Sequence, residues 1–121
     1  MFKYPNCSQN IIVIFLVFAR ISFWQFKEGK RPEAFHRLDT FLNSLAAKEQ
    51  GFRGYISILS YNDSNLATIM TLWEDEAALI KSGEGVLLQV ISNVREFLKE
   101  EPRIERGHVF SIQLYQRESE K

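Results

Sequence analysis

Residues 66–79 read Leu66-Ala67-Thr68-Ile69-Met70-Thr71-Leu72-Trp73-Glu74-Asp75-Glu76-Ala77-Ala78-Leu79, and the change of character at Trp73 decides the fold. Leu66 to Leu72 is apolar and partly β-branched, which suits a strand. After Trp73, Glu74, Asp75 and Glu76 stand where acidic side chains favour the positive end of a helix dipole. A strand therefore runs directly into a helix. Upstream, Asn62-Asp63-Ser64-Asn65 is turn chemistry, and Tyr55, Ile56, Ile58 and Leu59 within Phe52–Tyr61 form a further strand. The two strands make a β-hairpin. Downstream, Ser82-Gly83-Glu84-Gly85 breaks the helix. A second helical segment puts Leu87, Val90, Ile91, Val94 and Leu98 on one face, and Pro102 marks its end. His108, Phe110, Ile112 and Leu114 then alternate with Ser111 and Gln113 as a last strand.

Towards the N-terminus, Lys27-Glu28-Gly29-Lys30-Arg31 is a polar turn, and Pro32 suits a first helical position because the N–H it lacks would have no helical partner. Phe35, Leu38, Leu42 and Leu45 fall three and four apart and give that helix one apolar stripe, which Gly51 closes. Ile11 to Ala19 is the longest apolar run. It is too short for a membrane span of about twenty residues and lacks the flanks of a secretory signal, with Arg20 ending it at once. It is expected to be a strand buried on both faces, extended by Trp24 and Phe26, which would pack at a dimer seam. The order strand, helix, strand, strand, broken helix, strand is α+β: a ferredoxin-like βαββαβ unit with a four-stranded antiparallel sheet and helices on one face. Residues 11–116 form one domain in this reading, between a flexible segment, 1–10, and a charged tail, 117–121. The uncovered sheet face is also apolar, and a second copy of the chain is its simplest cover, so a homodimer is expected.

Composition excludes several functions. Fifteen basic residues balance fifteen acidic ones, so no long-range field gathers nucleic acid or an anionic membrane. Cys7 is the sole cysteine and implies no oxidising compartment, so a cytoplasmic setting is expected. Cys7, His36 and His108 lack the spacing of a zinc site. Gly83-Glu84-Gly85 lacks the lysine and hydroxyl of a phosphate loop, and no nucleophile elbow is present. No cofactor or metal is implied.

Three stretches resemble antibiotic biosynthesis monooxygenase domains, which are dimeric α/β barrels. Phe26-Lys27-Glu28-Gly29-Lys30-Arg31-Pro32-Glu33-Ala34-Phe35 is similar to their strand, glycine turn and first helix. Gln50-Gly51-Phe52-Arg53-Gly54-Tyr55 is similar to the start of their second strand, and Met70 to Leu79 to their third strand, tryptophan and helix start. The resemblance spans roughly residues 11 to 115, on motifs that are short and degenerate. It implies one of several activities: cofactor-independent oxidation of phenols or quinols, haem degradation, or isomerisation, and some members have no known reaction. Haem degradation fits poorly, since the positions similar to that branch's second tryptophan and histidine are Ser82 and Ser92, and no imidazole remains to ligate iron.

Oxidation of a phenol or quinol needs aromatic walls, a partner for the phenolic proton and a cation or dipole for the oxyanion. The catalytic candidates are His36 and Trp73, with Asn43, Tyr55, Arg95 and His108 as substrate-binding candidates. Each has a plainer reading. Trp73 is a core aromatic with a bonded indole N–H, His36 a solvated helix residue, Arg95 part of a charged helix face, and His108 the start of a strand. The functional alternative is a non-catalytic dimeric module that binds a small hydrophobic ligand or regulates a partner. An enzyme of this kind should hold a cavity of roughly 300 Å³ or more with at least two convergent polar groups, whereas the module should have a filled or apolar interior.

Overall fold

A computed structural model describes residues 10–13 and 17–116 of the chain. The elements are β1 (Asn10–Val13), β2 (Val17–Phe26), α1 (Arg31–Ala46), β3 (Phe52–Leu59), β4 (Leu66–Trp73), α2 (Glu76–Glu84), α3 (Val86–Val94), a single 3₁₀ turn (Arg95–Phe97), β5 (Leu98–Val109) and β6 (Gln113–Gln116). Four strands form one antiparallel sheet in the order β3-β4-β2-β5. This is the α+β, ferredoxin-like arrangement. β1 and β6 pair separately as a two-stranded antiparallel ribbon. Among the described residues no helix is long and apolar enough to cross a membrane.

The helices cover the sheet face that carries the even residues of β2 and the odd residues of β4. Trp24 and Phe26 from β2, and Ala67 and Ile69 from β4, are buried there against Ala34, Leu38, Leu42 and Leu45 of α1 and Val90, Ile91 and Val94 of α3. The α1 stripe therefore packs as its spacing requires. Trp24 and Phe26 are 2% and 1% exposed inside this core, which corrects the expectation that they pack at a dimer seam. Period-two alternation puts them on the helix side once Arg20 and Ser22 are counted with them. The opposite face carries a smaller cluster of Val17, Ala19 and Leu72, with Met70 and Val109 against it. Along β3 that face leaves Ile56 and Ile58 40% and 50% exposed.

Two local devices set the start of α2. The Asp75 side chain accepts a hydrogen bond from the Ala78 N–H at 2.8 Å, so one of the helix's unpaired donors is capped. Gly51, at φ +86°, would place a Cβ 2.6 Å from the Ala78 Cβ, so only glycine fits both its conformation and its neighbour. Its carbonyl accepts from the Glu74 N–H at 2.7 Å and ties the end of β4 to the loop after α1.

Three sequence expectations are corrected. The apolar run from Ile11 to Ala19 is not one strand. Asn10–Val13 belongs to the ribbon, the main sheet begins at Val17, and residues 14–16 lie outside those described. The helix before Pro102 ends at Val94, and Leu98 already opens β5. Pro102 sits inside that strand, between Arg103 opposite Phe23 and Glu100 opposite Gln25, where the register shifts. A bulge on an edge strand is one of the few strand positions that tolerates a residue without an N–H. The last strand accordingly runs over Leu98–Val109 rather than from His108 to Leu114. Phe110 to Ile112 are irregular, and Leu114 belongs to β6. Of the segment 1–10, Asn10 opens β1, while residues 1–9 with Cys7, and residues 117–121, lie outside the described residues.

Candidate functional site

Where β2 and β4 meet the junction of α2 and α3, the core contains polar groups. Arg20 is in register with Ser22, Trp24 and Phe26 on the helix side of β2, yet it is only 5% exposed. One guanidinium nitrogen donates to the Ser82 hydroxyl at 2.8 Å and another to the Leu79 carbonyl at 2.6 Å. The Ser82 hydroxyl itself donates to the Leu79 carbonyl at 2.7 Å. Gly83 permits this geometry, because a Cβ there would lie 2.9 Å from the guanidinium. Burial, reinforced by the nearby positive charge of Arg106, pulls the Arg20 pKa below its ordinary value. Among the described residues its hydrogen-bond partners, the Ser82 hydroxyl and the Leu79 carbonyl, are neutral, so they solvate the charge without neutralising it.

Arg20, Ser22, Trp24, Thr71 and Trp73 are among the residues that line a cavity of about 30 Å³, which α1 and α3 close with apolar side chains that include Val86 and Leu87. That volume holds about two water molecules. Both indoles are fixed by neighbouring hydroxyls, since Trp24 Nε1 donates to Ser22 Oγ at 2.7 Å and Trp73 Nε1 to Thr71 Oγ1 at 2.9 Å. Ser22 Oγ donates a hydrogen bond to the Ile69 carbonyl at 3.1 Å. Trp73 also packs against Phe52, with ring centroids 5.0 Å apart and planes tilted by 56°. Two fixed indoles, Thr71 and the buried Arg20 therefore border one small space. Among the described residues no acidic or imidazole side chain lines it.

Of the six residues singled out from sequence, Trp73 lines this cavity and is 1% exposed. His36 and Asn43 are exposed on α1. Tyr55, on β3, donates its hydroxyl proton to Asp39 Oδ1 at 2.7 Å, and burial together with that carboxylate pushes its pKa up to about 12. Arg95 is exposed and pairs with Glu101. His108, exposed on β5, stacks on Phe18 with centroids 4.7 Å apart. These five do not converge. Arg20, Ser22, Thr71 and Ser82 were not singled out as site residues, although the period-two register of β2 assigns Arg20 to the side that carries Trp24 and Phe26. Among the described residues, no three His, Cys, Asp or Glu side chains cluster as a metal site would require.

Solved structures with this fold include a conserved protein from Methanosarcina mazei Go1, at 22% identity and TM-score 0.62 over 76% of this chain and 91% of that one. A proposed antibiotic biosynthesis monooxygenase from Bordetella bronchiseptica aligns at 14% identity and TM-score 0.65, covering 75% of this chain and 94% of that one. Another from Nitrosomonas europaea aligns at 11% identity and TM-score 0.68, covering 80% and 93%. At these identities the likeness carries the fold alone. No curated protein sequence matches the chain significantly. The sequence model of the antibiotic biosynthesis monooxygenase family matches residues 17–83. That match runs from the first residue of β2 to the glycine against Arg20 and takes in more than half of the 121 residues, so the chain belongs to the antibiotic biosynthesis monooxygenase family.

Proposed function

We propose that this chain acts as a homodimer and oxidises a small electron-rich aromatic molecule, a phenol or quinol, with dioxygen and no bound cofactor. The observation that carries this reading is the buried Arg20, which meets no carboxylate among the described residues and is one of the residues lining a cavity flanked by Trp24 and Trp73. The overall change balances without a reductant: a phenol and dioxygen give a quinone and water. Since no base lines the cavity, the substrate enters as its phenolate, and Arg20 selects that form and stabilises the charge. The Trp24 and Trp73 faces hold the ring, and the Thr71 hydroxyl donates to an oxygen substituent. A ring is larger than 30 Å³, so Val86 and Leu87 at the start of α3 must move outward to admit it.

At about 30 Å³ the cavity is well under the roughly 300 Å³ expected of an enzyme of this kind, which favours a second reading, the non-catalytic dimeric module that binds a small hydrophobic ligand or regulates a partner. Oxygen uptake separates the two. With a panel of hydroquinones and phenols in air, the wild type should consume oxygen, faster as pH rises towards a phenol's pKa of about 10. Arg20→Gln should lower the rate by about 100-fold or more, the usual cost of losing an oxyanion donor. Trp73→Phe should raise KM with little effect on kcat. No protein-dependent uptake across the panel, or an Arg20→Gln rate equal to wild type, would discard the oxidase reading.

A further inference from the structure

A second arginine stands beside Arg20. Arg106 on β5 is the direct register partner of Arg20 on β2, so the two side chains leave the same face of neighbouring strands. Directly opposed residues have Cβ atoms about 5 Å apart, and like charges placed so repel each other. Other arginines in this fold are matched differently. Arg37, Arg53, Arg95 and Arg103 each pair with a glutamate, and the Arg31 guanidinium donates to the carbonyls of Ser60, Asp63 and Leu66. Among the described residues neither Arg20 nor Arg106 meets a carboxylate. Glu105, the residue before Arg106, points to the opposite face and is held by Arg103. His108, two residues further along the same face of β5, stacks on Phe18 and adds no negative charge. Arg20 is buried beneath α2 while Arg106 is exposed at the sheet's edge strand, so one guanidinium is fixed by Ser82 and Leu79 and the other is open to solvent.

We infer that Arg20 and Arg106 together form a binding site for a small oxyanion, a carboxylate or a phosphate group. Two guanidiniums, one held by Ser82 and Leu79 and one exposed, suit the several acceptor lone pairs of such a group, and bound charge relieves their mutual repulsion. Gly83 leaves room for the buried partner, since a Cβ there would lie 2.9 Å from its guanidinium. The site stands whether or not oxidation occurs in the neighbouring cavity.

Thermal melts test it, with sodium benzoate and sodium phosphate as probes against sodium chloride at matched ionic strength. Benzoate or phosphate should raise the wild-type melting temperature saturably and beyond chloride, and the tighter of the two identifies the group. Arg106→Gln, an exposed change that the fold tolerates, should weaken the apparent affinity by tenfold or more. Arg103→Gln removes a charge from the same strand but the other face, and should leave affinity as in wild type. A wild type that responds to neither probe beyond chloride would overturn the site, as would equal affinity in wild type and Arg106→Gln.

Discussion

Arg20 shows how a single residue can be visible in a sequence and its meaning still missed. It ends the longest apolar run, and that position alone argues against a membrane span. Its register gives it a second meaning. Three alternate positions, 20, 22 and 24, share the helix-facing side of β2, and burying a guanidinium there costs free energy unless something gains from it. Composition cannot show that Ser82 and the Leu79 carbonyl, about sixty residues away, will come to meet it. Tyr55 is a simpler residue-scale case. Its hydroxyl is bonded to Asp39 and its pKa is raised from 10.0 to about 12. The unfolded chain therefore loses the phenolic proton first, and the stability this group contributes is fully present below pH 10 and lost as pH rises towards 12. Chemical unfolding of wild type and Tyr55→Phe should show wild type losing stability more steeply across that window. Parallel curves would mean that the bond to Asp39 is absent in solution.

At the scale of elements, legibility follows the strength of the periodic signal. The α1 stripe, the β3–β4 hairpin and the step from strand to helix at Trp73 were all readable, because each couples a run of apolar spacing to turn or capping chemistry. The region after α3 was not. Leu98 continues the helical spacing of Val90, Ile91 and Val94, so the pattern extends one turn too far, and Pro102 reads as a stop signal. The chain instead turns at Arg95–Phe97 and enters an edge strand in which Lys99, Glu100, Glu101, Arg103 and Glu105 are charged. Charges and a proline are what protect an open sheet edge from pairing with other chains. They also erase the alternation by which a strand is recognised. The split of the first apolar run between β1 and β2 was equally hidden, since both pieces are rich in the same β-branched residues.

For the whole molecule, the helices account for one face of the sheet. The other carries a small buried cluster and, along β3, Ile56 and Ile58 half-exposed. The homodimer proposed here packs two such faces together. Sedimentation at micromolar concentration should give twice the 14.2 kDa chain mass, and Ile58→Glu should shift it towards single subunits. A wild type that sediments as one chain would remove the dimer. In the function proposed here Arg20 serves a bound anion rather than holding the fold together. Replacing a buried charge with an apolar side chain of similar length is often neutral or stabilising, and Leu79 would keep the Ser82 hydroxyl as a partner. Urea unfolding of Arg20→Met at pH 7 tests this most directly. The midpoint should equal or exceed that of wild type while oxygen uptake and anion binding are lost; a loss of about 3 kcal/mol or more would make Arg20 a structural staple and contradict the account.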